Sequence, residues 1–433
     1  MLKRKRDRQE KPIREKKAKG NNATKRCRQV VQTCGAGDMG QLGLGFAASK
    51  RRERPLLTTV EPLPDKIKQI AAGSLHNLVL DQKGRVYSWG CNDDHCLGTL
   101  GLEEKDCFIP QQVQALKSIV QVAAGASHSL ALSKDGEVFA WGTYRNKQGP
   151  MCTMLLNAEK PFVINALSIA AGENHDLVLT RNHQVWQWGD LNKAESMTEK
   201  NKAESMTEKN KAESMTEKNK AESMTEQEEQ KDEIKRGEEE DDKVLERELM
   251  QFPVGVVPGK VFAGGYTSVV IDGSGKGWAW GCNNYHQTGC GGAVLETFLR
   301  APLPVLGLME PLQQVACGMH HSLFLTQTGL LFAVGKGSFG RLGLGANETD
   351  VSIPTLIPTT EVMRFVACGE AHSLAVSRSG ELFTWGMGTL HQLGLGADDD
   401  KSLPQAVRSK NLFIVAADGG AQHTLIVGNM TNF

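Results

Sequence analysis

One pattern constrains this chain more than any other: four short landmarks recur along it in a fixed order through seven units, the second of them absent from the fourth unit. The first is a short strand-like run ending in glycine, usually as Trp-Gly, at Gly90, Gly142, Gly189, Gly281, Gly335 and Gly386, with a degenerate first copy at Gly35. The second is Gln-Leu-Gly-Leu-Gly at 41–45 and 392–396 and Arg-Leu-Gly-Leu-Gly at 341–345, with weaker forms around Gly98, Gly149 and Gly289. The third is a proline beside a further strand, at Pro55, Pro110, Pro161, Pro253, Pro302, Pro354 and Pro404. The fourth is Ala-Ala-Gly-x-x-His or a variant, with glycines 73, 125, 172, 264, 318, 369 and 420. Successive fourth-landmark glycines are 52, 47, 92, 54, 51 and 51 residues apart. A unit of about fifty residues holding several short strands is the signature of a propeller blade. The strands are rich in β-branched and aromatic residues and too short for helices, and turns such as Lys83-Gly84 and Asp135-Gly136 carry hairpin chemistry. The pattern predicts an all-β, seven-bladed β-propeller.

The ends predict how the ring closes. The chain opens the pattern with a lone strand, Val30 to Cys34, and finishes on Leu425 to Val427 with no strand after it. Pairing the N-terminal strand into the last blade removes two exposed edges at once. All seven tryptophans (89, 141, 186, 188, 278, 280 and 385) stand in the first landmark, where packing between adjacent blades is the expected role.

The expected domains are a basic disordered tail at 1–28, the propeller at 29–428, and a low-complexity acidic insertion at 192–250. Residues 1–28 hold thirteen Lys/Arg against three acids, a net +10, too charged to fold alone. Two clusters, Lys3, Arg4, Lys5 and Arg6, then Lys16, Lys17 and Lys19, suit a bipartite signal for a nuclear import receptor, and the same charge would hold DNA phosphate. The 92-residue gap falls in the fourth unit, where the nonapeptide Asn-Lys-Ala-Glu-Ser-Met-Thr-Glu-Lys begins at Asn192, Asn201 and Asn210, with a final-Gln copy at Asn219. A nine-residue period puts Met197, Met206, Met215 and Met224 alternately on opposite helix faces, so no apolar seam forms. With twelve basic and nineteen acidic residues the segment carries a net −7 and reads as a solvated loop on one rim. Apolar stretches such as 119–126 are too short for a bilayer, so no membrane role is expected, and the protein should act as a monomer.

Little here suggests bond-making chemistry. Cys91, His95 and Cys96 lie close together, yet no second ligand pair stands at zinc-finger spacing, and neither a metal nor a cofactor is expected. His76, His128, His175, His321, His372 and His423 each follow a fourth-landmark glycine by three residues, and Thr267 breaks the series. In a ring they share one end and one radius. Anchoring a turn through backbone hydrogen bonds is the plainer role, since no nucleophile, carboxylate pair or phosphate loop recurs beside them.

The combination of Trp-Gly, Gln-Leu-Gly-Leu-Gly and Ala-Gly-x-x-His in seven units resembles the regulator of chromosome condensation family, over roughly 29–190 and 251–428. Stretches such as 37–45, Asn284-Tyr-His-Gln287, 352–357 and 419–423 carry the likeness, as does the basic tail. The resemblance implies a guanine-nucleotide exchange factor for the small GTPase Ran, attached to chromatin through DNA phosphate and histones and acting by binding alone. A non-exchanging scaffold of the same family is the alternative.

Carried over by position, the resemblance implies GTPase contacts at Asp38 and His76 and at the wedge Tyr144, Arg145, Asn146, Lys147 and Gln148. It also implies contacts at Asn174, at His320 or His321, and at His423. Departures are Ala126 and Asn174 where the family has aspartates, and Asn146-Lys147 where an acid is usual. The acidic 192–250 tract occupies much of the region where the family docks a basic loop on histones. Chromatin attachment should therefore lean on the tail.

Overall fold

The computed structural model describes residues 28–46, 53–93, 95–99, 107–143, 165–189, 247–293, 296–345, 349–409 and 411–431. They form seven antiparallel sheets with a single helical turn at Ser338–Gly340. Counted from the blade that holds both chain ends, the innermost strands are Leu412–Gly419, Ile67–Ala72, Ile119–Ala124, Ala166–Ala171, Pro258–Ala263, Leu312–Cys317 and Met363–Cys368. These seven line a central channel of about 450 Å³. The predicted seven-bladed propeller is the fold observed.

Closure follows the predicted route. Blade one runs Leu412–Gly419, His423–Met430, Gln29–Ala36, Glu53–Thr59 from the channel outward. Gln29 to Gly35 pairs with Asn429 to His423 without a break in register. The sequence repeat and the structural blade are out of phase: a unit read from one Trp-Gly to the next spans the outer half of one blade and the inner half of its neighbour. Each unit therefore ties two blades together, and the first and last half-units complete one another.

The core lies between blades. Trp89, Trp141, Trp188, Trp280 and Trp385 are fully buried. Trp89 sits with Ile70 and Val79 of blade two and Val31, Leu425 and Val427 of blade one. Burying a ring of this size is worth roughly 4–6 kcal/mol in transfer free energy, before entropy is charged. The Trp89 and Trp141 indoles donate to Gln41 O (3.1 Å) and Cys96 O (2.7 Å), and Trp385 donates to Arg341 O (3.0 Å). Each carbonyl belongs to the second-landmark loop of the preceding blade. The glycine after each tryptophan is required by geometry: Gly90 has φ +117°, and a Cβ there would stand 2.4 Å from Leu75 O.

Strand alternation gives the ring two faces. Turns between the first and second strands and loops between the third and fourth open on one, here called the loop face. Hairpins and blade-to-blade links open on the other. The tail residues 1–27, with the basic clusters at Lys3 to Arg6 and Lys16 to Lys19, lie outside the described residues, as do 190–246. At the far end of the predicted loop, Glu248–Leu249 pairs with Gln187 and Trp186. Met250 is buried in the cluster that holds Trp280. The stretch expected to be solvated to residue 250 thus ends earlier, because Leu249 and Met250 supply apolar side chains to blade four.

Candidate functional site

The loop face is organised by the fourth landmark. Around the channel mouth, one backbone hydrogen bond crosses every blade junction. The donors and acceptors are Ser74 N to Gly125 O, Ala126 N to Glu173 O, Glu173 N to Gly265 O and Gly265 N to Gly318 O. The circle continues with Met319 N to Glu370 O and Glu370 N to Gly420 O, and Ala421 N to Ser74 O returns it to its start. The distances run from 2.9 to 3.3 Å. Glycine is needed because a Cβ on Gly73 would lie 2.4 Å from Gly125 O and equally close to the His76 ring.

Just below this circle the repeated histidines bridge neighbouring blades. His76 Nε2 meets Ser129 Oγ (2.9 Å), His321 meets Ser373 Oγ (2.9 Å), His372 meets Thr424 Oγ1 (3.1 Å) and His423 meets Asn77 Oδ1 (2.8 Å). His128 faces Asp176 (2.9 Å), and His175 faces Ser268 Oγ (3.0 Å). The partners are side chains of the next blade, not the backbone of the histidine's own turn as the sequence suggested. Ser129, Ser373 and Thr424 each donate their hydroxyl proton to a loop carbonyl, Cys96 O, Arg341 O and Gln392 O. Each hydroxyl must therefore accept from histidine, which assigns the neutral Nε2–H tautomer to His76, His321 and His372. Burial pushes His76 and His423 down to about 3, and His175 and His372 down to about 4. At the junction of blades five and six Thr267 replaces the histidine, and its hydroxyl turns to Cys282 O of its own blade.

This geometry separates the expected contact residues into two groups. His76, His321 and His423 are at most 1% exposed and engaged with the next blade, so their rings cannot touch a protein lying on the loop face. For these three, direct contact is replaced by a bracing role. Asp38 is exposed in the loop after the third strand of blade one, and Asn174 is 8% exposed in the first turn of blade four. His320 is half-buried at the surface of blade six, which distinguishes it from its neighbour His321. The wedge Tyr144, Arg145, Asn146, Lys147 and Gln148 lies outside the described residues. Asp38, Asn174 and His320 all stand on the loop face.

Sequence reasoning missed a cluster beside His320. The Tyr285 ring lies 4.9 Å from the His320 ring, and Lys336 Nζ stands 4.4 Å above the same tyrosine. Lys336 N donates to His320 O (2.9 Å), and Lys336 Nζ donates to Tyr285 Oη (3.4 Å). Burial, then Lys336 and Arg341, push His320 down to about 4. Tyr285 and Lys336 belong to equivalent loops of adjacent blades, 51 residues apart, and nothing local in either loop announces the pairing.

A family model for the RCC1-like domain matches residues 30–426. The regulator of chromosome condensation of Mus musculus is 29% identical over 413 residues, covering 92% of this chain and 90% of that one. Its counterpart from Drosophila melanogaster is 32% identical over 415 residues, covering 92% and 68%. Among solved structures, Prp20p of Saccharomyces cerevisiae, a protein studied for its binding to Gsp1p and histones, superposes with a TM-score of 0.73 at 24% identity, covering 94% of this chain and 92% of that one.

Proposed function

This chain belongs to the RCC1-like domain family, and on that premise we propose that it is a chromatin-associated guanine-nucleotide exchange factor for the small GTPase Ran. The observation that carries the reading is the extent of the match, from the closing strand at residue 30 to the last strand at 426, on a face that keeps Asp38 and His320 at its surface. The mechanism needs no covalent step. A face that binds the nucleotide-free GTPase more tightly than the loaded form weakens nucleotide binding by the same factor. Every tenfold of release requires about 1.4 kcal/mol of that difference. Rigidity serves this purpose: a circle of backbone bonds, braced by buried histidines, keeps the loops from yielding when they press on the GTPase.

The two faces suit two partners. The loop face exposes Asp38, Asp93, Glu296, Asp398, Asp399 and Asp400. The hairpin face exposes Lys66, Lys68, Lys83, Lys117, Lys134, Arg181 and Arg378. Arg28, where the basic tail meets the first strand, lies on the hairpin face, and this reading assigns tail and face together to phosphate, away from the GTPase. In this reading nuclear entry uses the tail clusters and an import receptor.

The decisive assay is release of labelled GDP from purified Ran with and without this protein. Acceleration well above the spontaneous rate is expected, and no acceleration would refute exchange in favour of a scaffold role. Deleting residues 1–28 should abolish nuclear accumulation; unchanged localisation would reject the signal.

A further inference from the structure

We infer that Lys336, seated on Tyr285 beside His320, is the point on the loop face that receives an acidic side chain of the GTPase. The inference rests on the exchange reading and deepens it by assigning a contact that the family resemblance did not supply. Three observations carry it.

The first is that Lys336 is a cation in acidic surroundings. Exposed carboxylates dominate the loop face at Asp38, Asp93 and Asp398 to Asp400, whereas Lys401 is bonded to Asp399 and the Arg341 guanidinium is engaged with Ser338. Among the described residues, no carboxylate lies within ion-pair distance of the Lys336 ammonium. Asp350, the acid in the same loop, is occupied by Gly337 N at 3.0 Å.

The second is that the ammonium is held in place. A surface lysine ordinarily loses rotamer freedom when it forms an ion pair, and that loss cancels much of the gain. Here the stem is half-buried and the charge is already fixed over the Tyr285 ring and against its hydroxyl, so little further ordering is needed. Because Nζ donates to the tyrosine oxygen, the phenolic proton is free to point outward. Two donors from adjacent blades therefore converge, one ammonium N–H and one phenol O–H, a match for the two oxygens of a carboxylate.

The third is that the floor stays uncharged. His320 lies against Tyr285 with its Nδ1 buried and unpartnered, and burial next to two cations keeps the ring neutral. A neutral floor leaves Lys336 as the solvent-facing positive charge of the cradle, because Arg341 is buried and engaged with Ser338. One ammonium suits a singly charged carboxylate. A nucleotide phosphate would bring more negative charge beside Asp350 and the Asp398 to Asp400 loop than this cradle offsets.

The test measures binding of this protein to nucleotide-free Ran, and GDP release as a function of its concentration, for the wild type, K336M, K336R and Y285F. K336M keeps the apolar stem and removes the charge, so a merely structural role would survive it. The expected result for K336M is about a tenfold higher half-saturating concentration with little change in maximal rate, and a weaker dependence on salt. K336R should recover most of the affinity, and Y285F should lose a smaller part. Binding by K336M within twofold of the wild type, or a loss matched by a fall in its melting temperature, would overturn the assignment. If the wild type releases no GDP, the exchange reading itself fails. A wild type that exchanges beside an unimpaired K336M refutes the cradle alone.

Discussion

Lowering the pH from 7.5 to 5 should destabilise this propeller through its buried histidines. His76, His175, His372 and His423 stay neutral in the fold down to about 3 or 4, while an unfolded imidazole takes up its proton near 6.5. The unfolded chain therefore binds more protons throughout that interval. Stability is complete above 6.5 and falls as the pH drops toward the folded values. At pH 5 each of the four loses about 2 kcal/mol, or about 8 kcal/mol together. Asp418 works in the opposite direction. It is buried on the inner strand of blade one, accepts from Ala72 N (2.9 Å) and Gly419 N (3.0 Å), and is raised by burial to about 7. The folded protein takes up that proton first, which returns about 2–3 kcal/mol between pH 7.5 and 5. The net loss is about 5 kcal/mol, comparable to the whole stability of many domains. Urea denaturation followed by tryptophan fluorescence at pH 7.5, 6 and 5 measures it, since five indoles leave the core on unfolding. D418N keeps an acceptor for Ala72 N but cannot titrate, so its midpoint should fall more steeply with acid. A wild-type midpoint that holds steady or rises between pH 7.5 and 5 would refute neutral, buried imidazoles.

Four further outcomes follow from the same geometry. Gly90→Ala places a Cβ against Leu75 O at a φ that alanine resists, and should cost about 3 kcal/mol or more or prevent folding, read as loss of soluble protein or a large fall in melting temperature. His372→Ala removes a ring from between blades seven and one and the bond that the Thr424 hydroxyl accepts, leaving that hydroxyl its bond to Gln392 O, a cost of about 2–4 kcal/mol by denaturation. Thr267→Ala, at the junction without a histidine, should cost only about 1 kcal/mol in the same assay, because its hydroxyl bonds within its own blade. His320→Ala should weaken binding to Ran with little change in melting temperature, whereas His321→Ala should lower the melting temperature first; equal thermal effects would contradict their different placement.

What the sequence by itself determined is whatever depends on neighbours along the chain. Seven strands ending in glycine, five of them as Trp-Gly, and seven fourth-landmark turns, six of them Gly-x-x-His, count the blades, because a glycine at positive φ and an alternating strand are local requirements that each copy must satisfy. Strands left unpaired at both ends predicted closure, since an exposed edge is unfavourable wherever it occurs. Tertiary structure decided what those residues touch. His423 and Asn77 meet across 346 residues, and the ring's curvature alone turns a row of similar histidines into bridges between blades. The same curvature buried His76, His321 and His423 while leaving His320 near the surface, a difference invisible in two adjacent letters. Tyr285 and Lys336 came together because equivalent loops of neighbouring blades lie side by side, although each is unremarkable within its own repeat. Periodicity encodes the unit, but chemistry on a propeller face arises between units, where contacts follow the angle of the ring and not the order of the chain.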